Sequence, residues 1–351
     1  MALSGAFKIF NEDDDIVKNI KSVISSGTWS GGSGTLSAYY TQSAQSASSG
    51  NYYSDLYKTD PASDSEAEVQ FSISYGHHQG SGSLGTRGAA TGNRATAAIH
   101  AQLVNMLLGP NIDKFTYAGS VTSKHFYIVS LRRARMREKM DPGNWELWLS
   151  GSAGAGYPGE GHSGFTKLID DSGATSNPST GVGGRVFNVV SGSIQTGIAV
   201  TDTAATSQPG GGIGLFYPDH GIILLNADIL DATGSLGTSQ ASNTLGGNVP
   251  KFFTMISGGG KFQARREERL SSTHYFCRAG NKEFNFSNNP TFFTASDGTF
   301  TNPTFFKDPK TYITTIGLYN NANELLAVAK LSQPVLKSYS REALIKVKLD
   351  F

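Results

Sequence analysis

The stretch Lys310-Thr-Tyr-Ile-Thr-Thr-Ile-Gly-Leu-Tyr319, Asn320-Asn-Ala-Asn323, Glu324-Leu-Leu-Ala-Val-Ala-Lys-Leu-Ser332 decides how the chain is read. Two runs rich in β-branched and apolar residues flank a short Asn-rich loop, which is the pattern of a β-hairpin. A break at Gln333-Pro334 follows, and the chain ends Glu342-Ala-Leu-Ile-Lys-Val-Lys-Leu-Asp-Phe351. In that last run Ile345, Val347, Leu349 and Phe351 alternate with Lys346, Lys348 and Asp350, so one face is apolar and the other charged. A strand tied into a sheet is expected there. Burying its four apolar side chains contributes roughly 6–12 kcal/mol gross, as an upper bound.

Composition agrees with a sheet protein. Of 351 residues, 38% are hydrophobic and only 16% charged, and there are 42 glycines. That balance suits many strands and turns, or a surface largely covered by neighbours. A formal net charge of +1 provides no global field to attract nucleic acid or an anionic membrane. The single cysteine, Cys277, excludes an internal disulfide and sits in the strand-like run Thr273-His-Tyr-Phe-Cys-Arg278, where it reads as a small hydrophobe. The N-terminus has neither a basic start nor a long apolar run, so it is not read as a secretory signal. No apolar run is long enough to span a bilayer.

Along the chain, residues 11–26 carry helix signals. Asn11 is a cap, Glu12 to Asp15 place acid in the first turn, and Ile16, Ile20, Val23 and Ile24 fall at helical spacing. The helix packs on its own domain or is an arm docking on a neighbour. Residues 27–65 are rich in Ser, Gly and Tyr. They bury too little alone to order themselves, so Trp29, Tyr39, Tyr40, Tyr52 and Tyr53 are candidates for contact with a body or partner. Such a composition also suits carbohydrate binding. Residues 66–75 alternate as a strand, and residues 93–108 form a second helix stopped by Gly109-Pro110. Residues 125–131 read as an apolar strand, with another at 145–149 across the turn signal Asp141-Pro-Gly-Asn144. Residues 150–181 and 233–250 read as loop, 186–194 as a strand. Residues 212–217 and 221–225 form a hairpin about Pro218-Asp-His220, with a short helix after Asn226. Asn289-Pro-Thr-Phe-Phe293 recurs as Asn302-Pro-Thr-Phe-Phe306, a local repeat whose phenylalanines are expected to fill a core. The resulting division is an arm over 1–65, a β-rich body over 66–260 and a C-terminal β domain over 261–351. The fold class is α+β, β-rich, with antiparallel sheets, two principal helices and long Gly/Ser-rich loops.

Motifs for chemistry fail on context. Gly80-Ser-Gly-Ser-Leu-Gly85 matches the dinucleotide fingerprint in letters. The next helix starts too late, however, and no acidic residue follows at the needed distance. Gly161-His-Ser-Gly164 misses the nucleophile-elbow spacing by one residue. His77 and His78 adjoin on a strand and point to opposite faces, a poor start for a shared metal ion. No catalytic residue, cofactor or metal is therefore called for. The densest charge cluster is Arg132, Arg133, Arg135, Arg137 and Lys139. Read as a strand, Arg133, Arg135 and Arg137 share a face with Lys139. It lacks the interleaved aromatics and basic surroundings of a nucleic-acid patch, so ion pairing between subunits or a solvated face is expected instead.

Three stretches resemble one group of proteins. The segment Ile313-Thr-Thr-Ile-Gly-Leu-Tyr-Asn320 with Glu324-Leu-Leu-Ala-Val-Ala329 resembles one recurring in tail and baseplate-attached proteins of tailed bacteriophages. Its continuation to Val347-Lys-Leu-Asp-Phe351 resembles virion structural proteins of contractile-tailed, T4-like phages, the cyanophages in particular. Arg133-Ala-Arg-Met-Arg-Glu-Lys-Met-Asp-Pro-Gly143 fits the same group. So does Phe262-Gln-Ala-Arg-Arg-Glu-Glu-Arg-Leu-Ser-Ser-Thr-His274 with Asn281-Lys-Glu-Phe-Asn-Phe286. The resemblance implies a non-enzymatic structural component of a phage particle, in the tail (baseplate or tail–neck region). Its expected partners are copies of itself and other virion proteins, with no nucleic acid, membrane or small-molecule substrate. The alternatives are a glycan-binding adhesin or depolymerase of the tail, and a head-decorating or connector protein. Candidate interface residues are Ile16, Ile20, Val23, Ile24, Trp29, Tyr39, Tyr40, Tyr52, Tyr53, Arg133, Arg135 and Arg137.

Overall fold

The computed structural model describes residues 7–42, 51–83, 94–117, 121–150, 165–173, 179–195, 198–201, 212–233, 246–294 and 297–350. The fold is β-rich α+β, built on antiparallel sheets, with five helices among the described residues. The chain divides into two compact units, one of residues 24–268 and one of residues 1–23 with 269–351. These boundaries differ from 65/66 and 260/261. The Ser/Gly/Tyr-rich segment is sewn into the larger unit, and the first 23 residues belong with the C-terminal strands.

In the larger unit the strand order along the main sheet is Phe262–Ala279 (its first residues), Lys139–Ser150, Phe165–Asp170, Gly184–Gln195, Gly214–Tyr217, Ile222–Asn226, His125–Leu131, Val69–His77, Tyr53–Tyr57 and Tyr40–Gln42. Neighbours pair antiparallel throughout. Its central strands are apolar on both faces, and alternate residues serve two cores. Tyr127, Val129, Ile223, Leu225 and Phe216 enter one; Phe126, Ile128, Ile222, Leu224, Leu215 and Tyr217 enter the other. The second core is covered by the helix Ala95–Leu107 through Leu103, Val104 and Leu107. The first holds the helix Asn248–Gly259, whose Val249, Phe252, Met255 and Ile256 are buried. That helix ends against the sheet, where a Cβ on Gly259 would fall 1.9 Å from the carbonyl oxygen of Trp148. Only glycine tolerates such an approach.

The sheet curls so that its two ends meet. The strand Thr35–Leu36 pairs with Phe262 and Gln263, while the nearby Tyr40–Gln42 pairs with Tyr53–Tyr57 at the opposite end. Phe71 and Phe262, from opposite ends, lie 5.3 Å apart edge to face. Trp29 seals this seam. It is buried, packs its ring, tilted, with centroids 4.8 Å from Phe262 and 5.8 Å from Phe71, and donates Nε1–H to the Phe262 carbonyl at 3.0 Å.

The smaller unit contains the strand Ala343–Asp350, paired residue by residue with 272–279, and the hairpin Thr311–Tyr319 with Leu325–Lys337. The terminal strand alternates as its sequence predicts, with Val347 buried and Lys346 and Lys348 exposed.

The helix expected over 11–26 is replaced by one acidic turn, Glu12–Asp15, and a strand, Ile16–Gly27, that lies beside Phe262–Ala279. Asn11 still caps the turn, accepting from the Asp13 N–H at 3.3 Å. The β-branched Ile16, Val17, Ile20, Val23 and Ile24 favour extended backbone, and an isolated helix this short is marginal in water. Asn19, at φ 61°, breaks the helical run in its middle. The second principal helix is Asn248–Gly259 instead.

Candidate functional site

The feature with the clearest binding character is the C-terminal hairpin. Asn320 organises its loop: its Oδ1 accepts from the N–H groups of Ala322 at 2.9 Å and Glu324 at 2.8 Å. Asn323 takes the left-handed conformation, φ 62°, that closes the turn. At the base Lys337 is fully buried and donates to the Asn281 carbonyl at 3.1 Å, Asn285 Oδ1 at 2.9 Å and the Ser338 carbonyl at 3.0 Å. All three acceptors are neutral, and burial lowers the ammonium pKa. Pro334 does not end the second strand. Register passes from Ile313↔Val335 to Thr315↔Lys330, so residues 331–334 bulge and accommodate the missing N–H.

Beyond this anchored base the hairpin stands as a two-stranded sheet, paired to no third strand among the described residues. Its apolar side chains are not buried. Tyr312 is 62% exposed, Tyr319 59%, Leu325 52%, Leu326 68% and Val328 58%. The Tyr319 ring lies over Gly317 and beside Leu325, so even its internal packing leaves an apolar face in solvent. A two-stranded sheet is marginal alone, and contiguous exposed apolar residues mark interaction sites.

The basic cluster is resolved differently from expectation. Arg133–Met136 is a short helix, not a strand, and the charges meet carboxylates of the same chain. Arg132 faces Asp55 at 3.5 Å, Arg135 Glu68 at 3.0 Å, Arg137 Glu268 at 3.0 Å, and the buried Lys139 Glu267 at 2.6 Å. These four ion pairs lie within the chain. Arg133 and Arg137 remain exposed and Arg135 half-buried.

The other expected interface residues separate into two groups. Trp29 is a core residue. Tyr39 packs half-buried against the core and donates its hydroxyl to the Leu36 carbonyl at 3.0 Å. Trp29, fully buried, has no surface to offer a partner. Val23, Ile24, Tyr40 and Tyr53 are exposed, whereas Ile16, Ile20 and Tyr52 are half-buried. The phenylalanine repeat packs on itself. In each copy the asparagine Oδ1 accepts from the threonine two residues on, at 3.1 Å, and Phe292 stacks on its counterpart Phe305 at 5.2 Å. Phe292 is buried, but Phe286 and Phe306 are exposed, so the cluster is only partly a core.

A polar cluster sits at the end of the Val69–His77 strand. His125 Nε2 lies 2.8 Å from Asp228 and its Nδ1 2.8 Å from the Tyr75 hydroxyl, and Ser123 donates to Asp228 at 2.6 Å. The His77 ring is 5.6 Å from that of His125, and the His78 ring 5.4 Å from that of His100. The adjacent histidines therefore diverge, as strand geometry requires. Burial pushes His77 and His100 down to about 4. No group of three His, Cys, Asp or Glu that could hold a metal occurs among the described residues. Residues 161–164 and Leu84 and Gly85 of the glycine run lie outside the described residues. Among those described, no helix is long and apolar enough to cross a membrane.

No protein-family model, curated protein or solved structure matches the chain. Sequence reasoning located the hairpin but not its exposure. The signal was Leu325-Leu326 beside Val328, three large apolar residues on a strand that pairs with one neighbour among the described residues.

Proposed function

We propose that the chain is a structural subunit of a tailed-phage particle, seated in the baseplate or tail–neck region and acting through permanent protein–protein contacts. The observation that carries this reading is the C-terminal hairpin, anchored through buried Lys337 and presenting five large apolar side chains to solvent. An assembly protein must offer apolar area at a defined place on a rigid support, and this is such a place. The resemblance of the same hairpin to tail and baseplate-attached proteins supports the position. Neutralisation of the basic cluster by Asp55, Glu68, Glu267 and Glu268 argues against a DNA-contacting connector.

The test is incorporation. Leu326→Asp with Val328→Asp removes the apolar strip without touching a buried residue. The variant should fold with an unchanged circular dichroism spectrum yet be missing from purified particles by immunoblot. Incorporation at the unmodified level would overturn the reading.

A further inference from the structure

The glycine-rich loop after the strand Val69–His77 is tied at one end to an imidazole and at the other to a helix. His77 is buried and accepts two backbone hydrogen bonds at Nδ1, from the N–H of Gln79 at 3.0 Å and the N–H of Ser81 at 3.3 Å. Two donors aimed at one ring nitrogen fix the neutral tautomer: Nδ1 keeps its lone pair and Nε2 carries the proton. Two residues beyond Ser81 the loop caps the helix Ala95–Leu107. Thr96 donates its N–H to Ser83 Oγ at 3.1 Å and its hydroxyl to the Ser81 carbonyl at 2.9 Å, and the Ser83 and Thr96 hydroxyl oxygens lie 2.8 Å apart. Both of these side chains are buried. Arg94, at the head of the helix, makes no side-chain cap of its own, so the cap comes from the loop. Gly80, at φ 80°, lies against Arg94, where a Cβ would fall 2.6 Å from the Arg94 Cβ.

We infer that His77 is an acid-operated latch: a proton on Nδ1 breaks both of its bonds to the loop, and the helix Ala95–Leu107 loses its cap and opens. The incoming proton has only that nitrogen to occupy, and there it turns an acceptor into a donor that faces two donors. The surroundings oppose the new charge. The His125 ring, on the neighbouring strand, lies 5.6 Å away, with Lys124 beside it and His78 on the strand of His77 itself. His100 faces His77 from the helix, with Asp113 and Lys114 close to His100. Asp228 is the carboxylate opposite, already bonded to His125 at 2.8 Å and to Ser123 at 2.6 Å. Burial, and then His125, hold the His77 imidazole down to about 4. Below 6.5 a released imidazole binds the proton that the latched one refuses, so acid favours the open helix. Opening uncovers an apolar face, because Leu103, Val104 and Leu107 of the helix share a core with Phe126, Ile128, Leu215 and Leu224 of the sheet.

The latch stands apart from the assembly role proposed above. Hydrogen exchange of the full chain at about pH 7 and about pH 5, corrected for intrinsic rates, tests it. Protection over 95–107 should fall on acidification while that over 125–131 and 222–226 holds. With His77 at about 4 when latched and 6.5 when released, its share of the fall is about 30-fold at pH 5. His100, on the helix, adds a share of its own. His77→Asn sets a non-titrating acceptor oxygen near the place of Nδ1 and should take that 30-fold out of the fall. In a Ser83→Ala, Thr96→Val chain, whose loop and helix are already parted, adding His77→Asn should change little. No fall in the unmodified chain, an equal fall over 125–131, or a fall as steep with His77→Asn overturns the inference. So does a His77→Asn effect of full size in the parted chain, because His77 would then act without the loop. If His77→Asn does not fold, the parted chain decides: it should lose less protection on acidification than the unmodified chain, and an equal loss overturns the latch.

Discussion

His100 shows how a single buried side chain makes this fold sensitive to acid. It lies on the inner face of the Ala95–Leu107 helix, stacks on Phe126 at 5.0 Å, and has no hydrogen-bond partner at Nε2. It faces His78, His77 and Lys114, with Asp113 as the one carboxylate. His77 faces His125, His78 and Lys124, with Asp228 opposing them. Both imidazoles titrate at about 4 in the fold and at 6.5 when free. Between those values the unfolded chain binds more protons, so stability is full above pH 6.5, falls as the pH drops towards 4, and levels below it. At 1.36 kcal/mol per unit the loss is about 3 kcal/mol for each histidine. His100→Phe keeps the stacking and orphans no partner, so it should be near neutral at pH 7 and flatten the decline towards pH 4. Denaturant midpoints at both pH values measure it, and parallel pH profiles for the two proteins would show that His100 is not a source of the sensitivity.

At the scale of elements, the outcome at 11–26 shows why period alone misleads. Ile16, Ile20, Val23 and Ile24 satisfy a helical period, but most of the apolar set is β-branched, and the strand Phe262–Ala279 offers a partner far away in sequence. No local pattern encodes that partner. Where the pattern and the tertiary environment agree, as at Ala343–Asp350, Ile222–Asn226 and Ala95–Leu107, the elements were legible to within a residue or two. The helix Asn248–Gly259 was not, because residues 233–250 read as loop up to Pro250, which serves a first-turn position, and no pattern announced the close approach of Gly259 to Trp148. The terminal strand provides a direct check. Truncation after Lys346 removes Val347 and Leu349 and leaves Ser272, fully buried and bonded to Asp350 at 2.6 Å, without its partner. Two lost apolar contacts and one buried orphan cost about 4–9 kcal/mol. The truncated chain should lose structure in its C-terminal unit. Unchanged thermal stability and hydrogen-exchange protection over 269–279 would show that the strand contributes little.

For the whole molecule, the boundary inside the strands Ile16–Gly27 and Phe262–Ala279 makes a claim about independence. Residues 24–268 contain both cores, the seam residues Trp29 and Phe71, and the carboxylates that neutralise the basic cluster. None of these groups draws on residues 1–23 or 269–351. This closure was invisible in the sequence, because a Ser/Gly/Tyr-rich segment resembles a loose arm until Trp29 and Leu36 are seen in a core formed by distant strands. Residues 24–268 expressed alone should therefore fold with a cooperative transition and native near-ultraviolet dichroism from Trp29 and Trp145. The cut leaves a strand edge unprotected, so that fragment should also aggregate more readily than the full chain. Adding Trp29→Ala to it should cost about 3–5 kcal/mol, the usual effect of deleting a buried tryptophan. A fragment with no cooperative transition would mean that residues outside 24–268 are needed to close the seam. A stable fragment unaffected by Trp29→Ala would mean that the sheet closes without it.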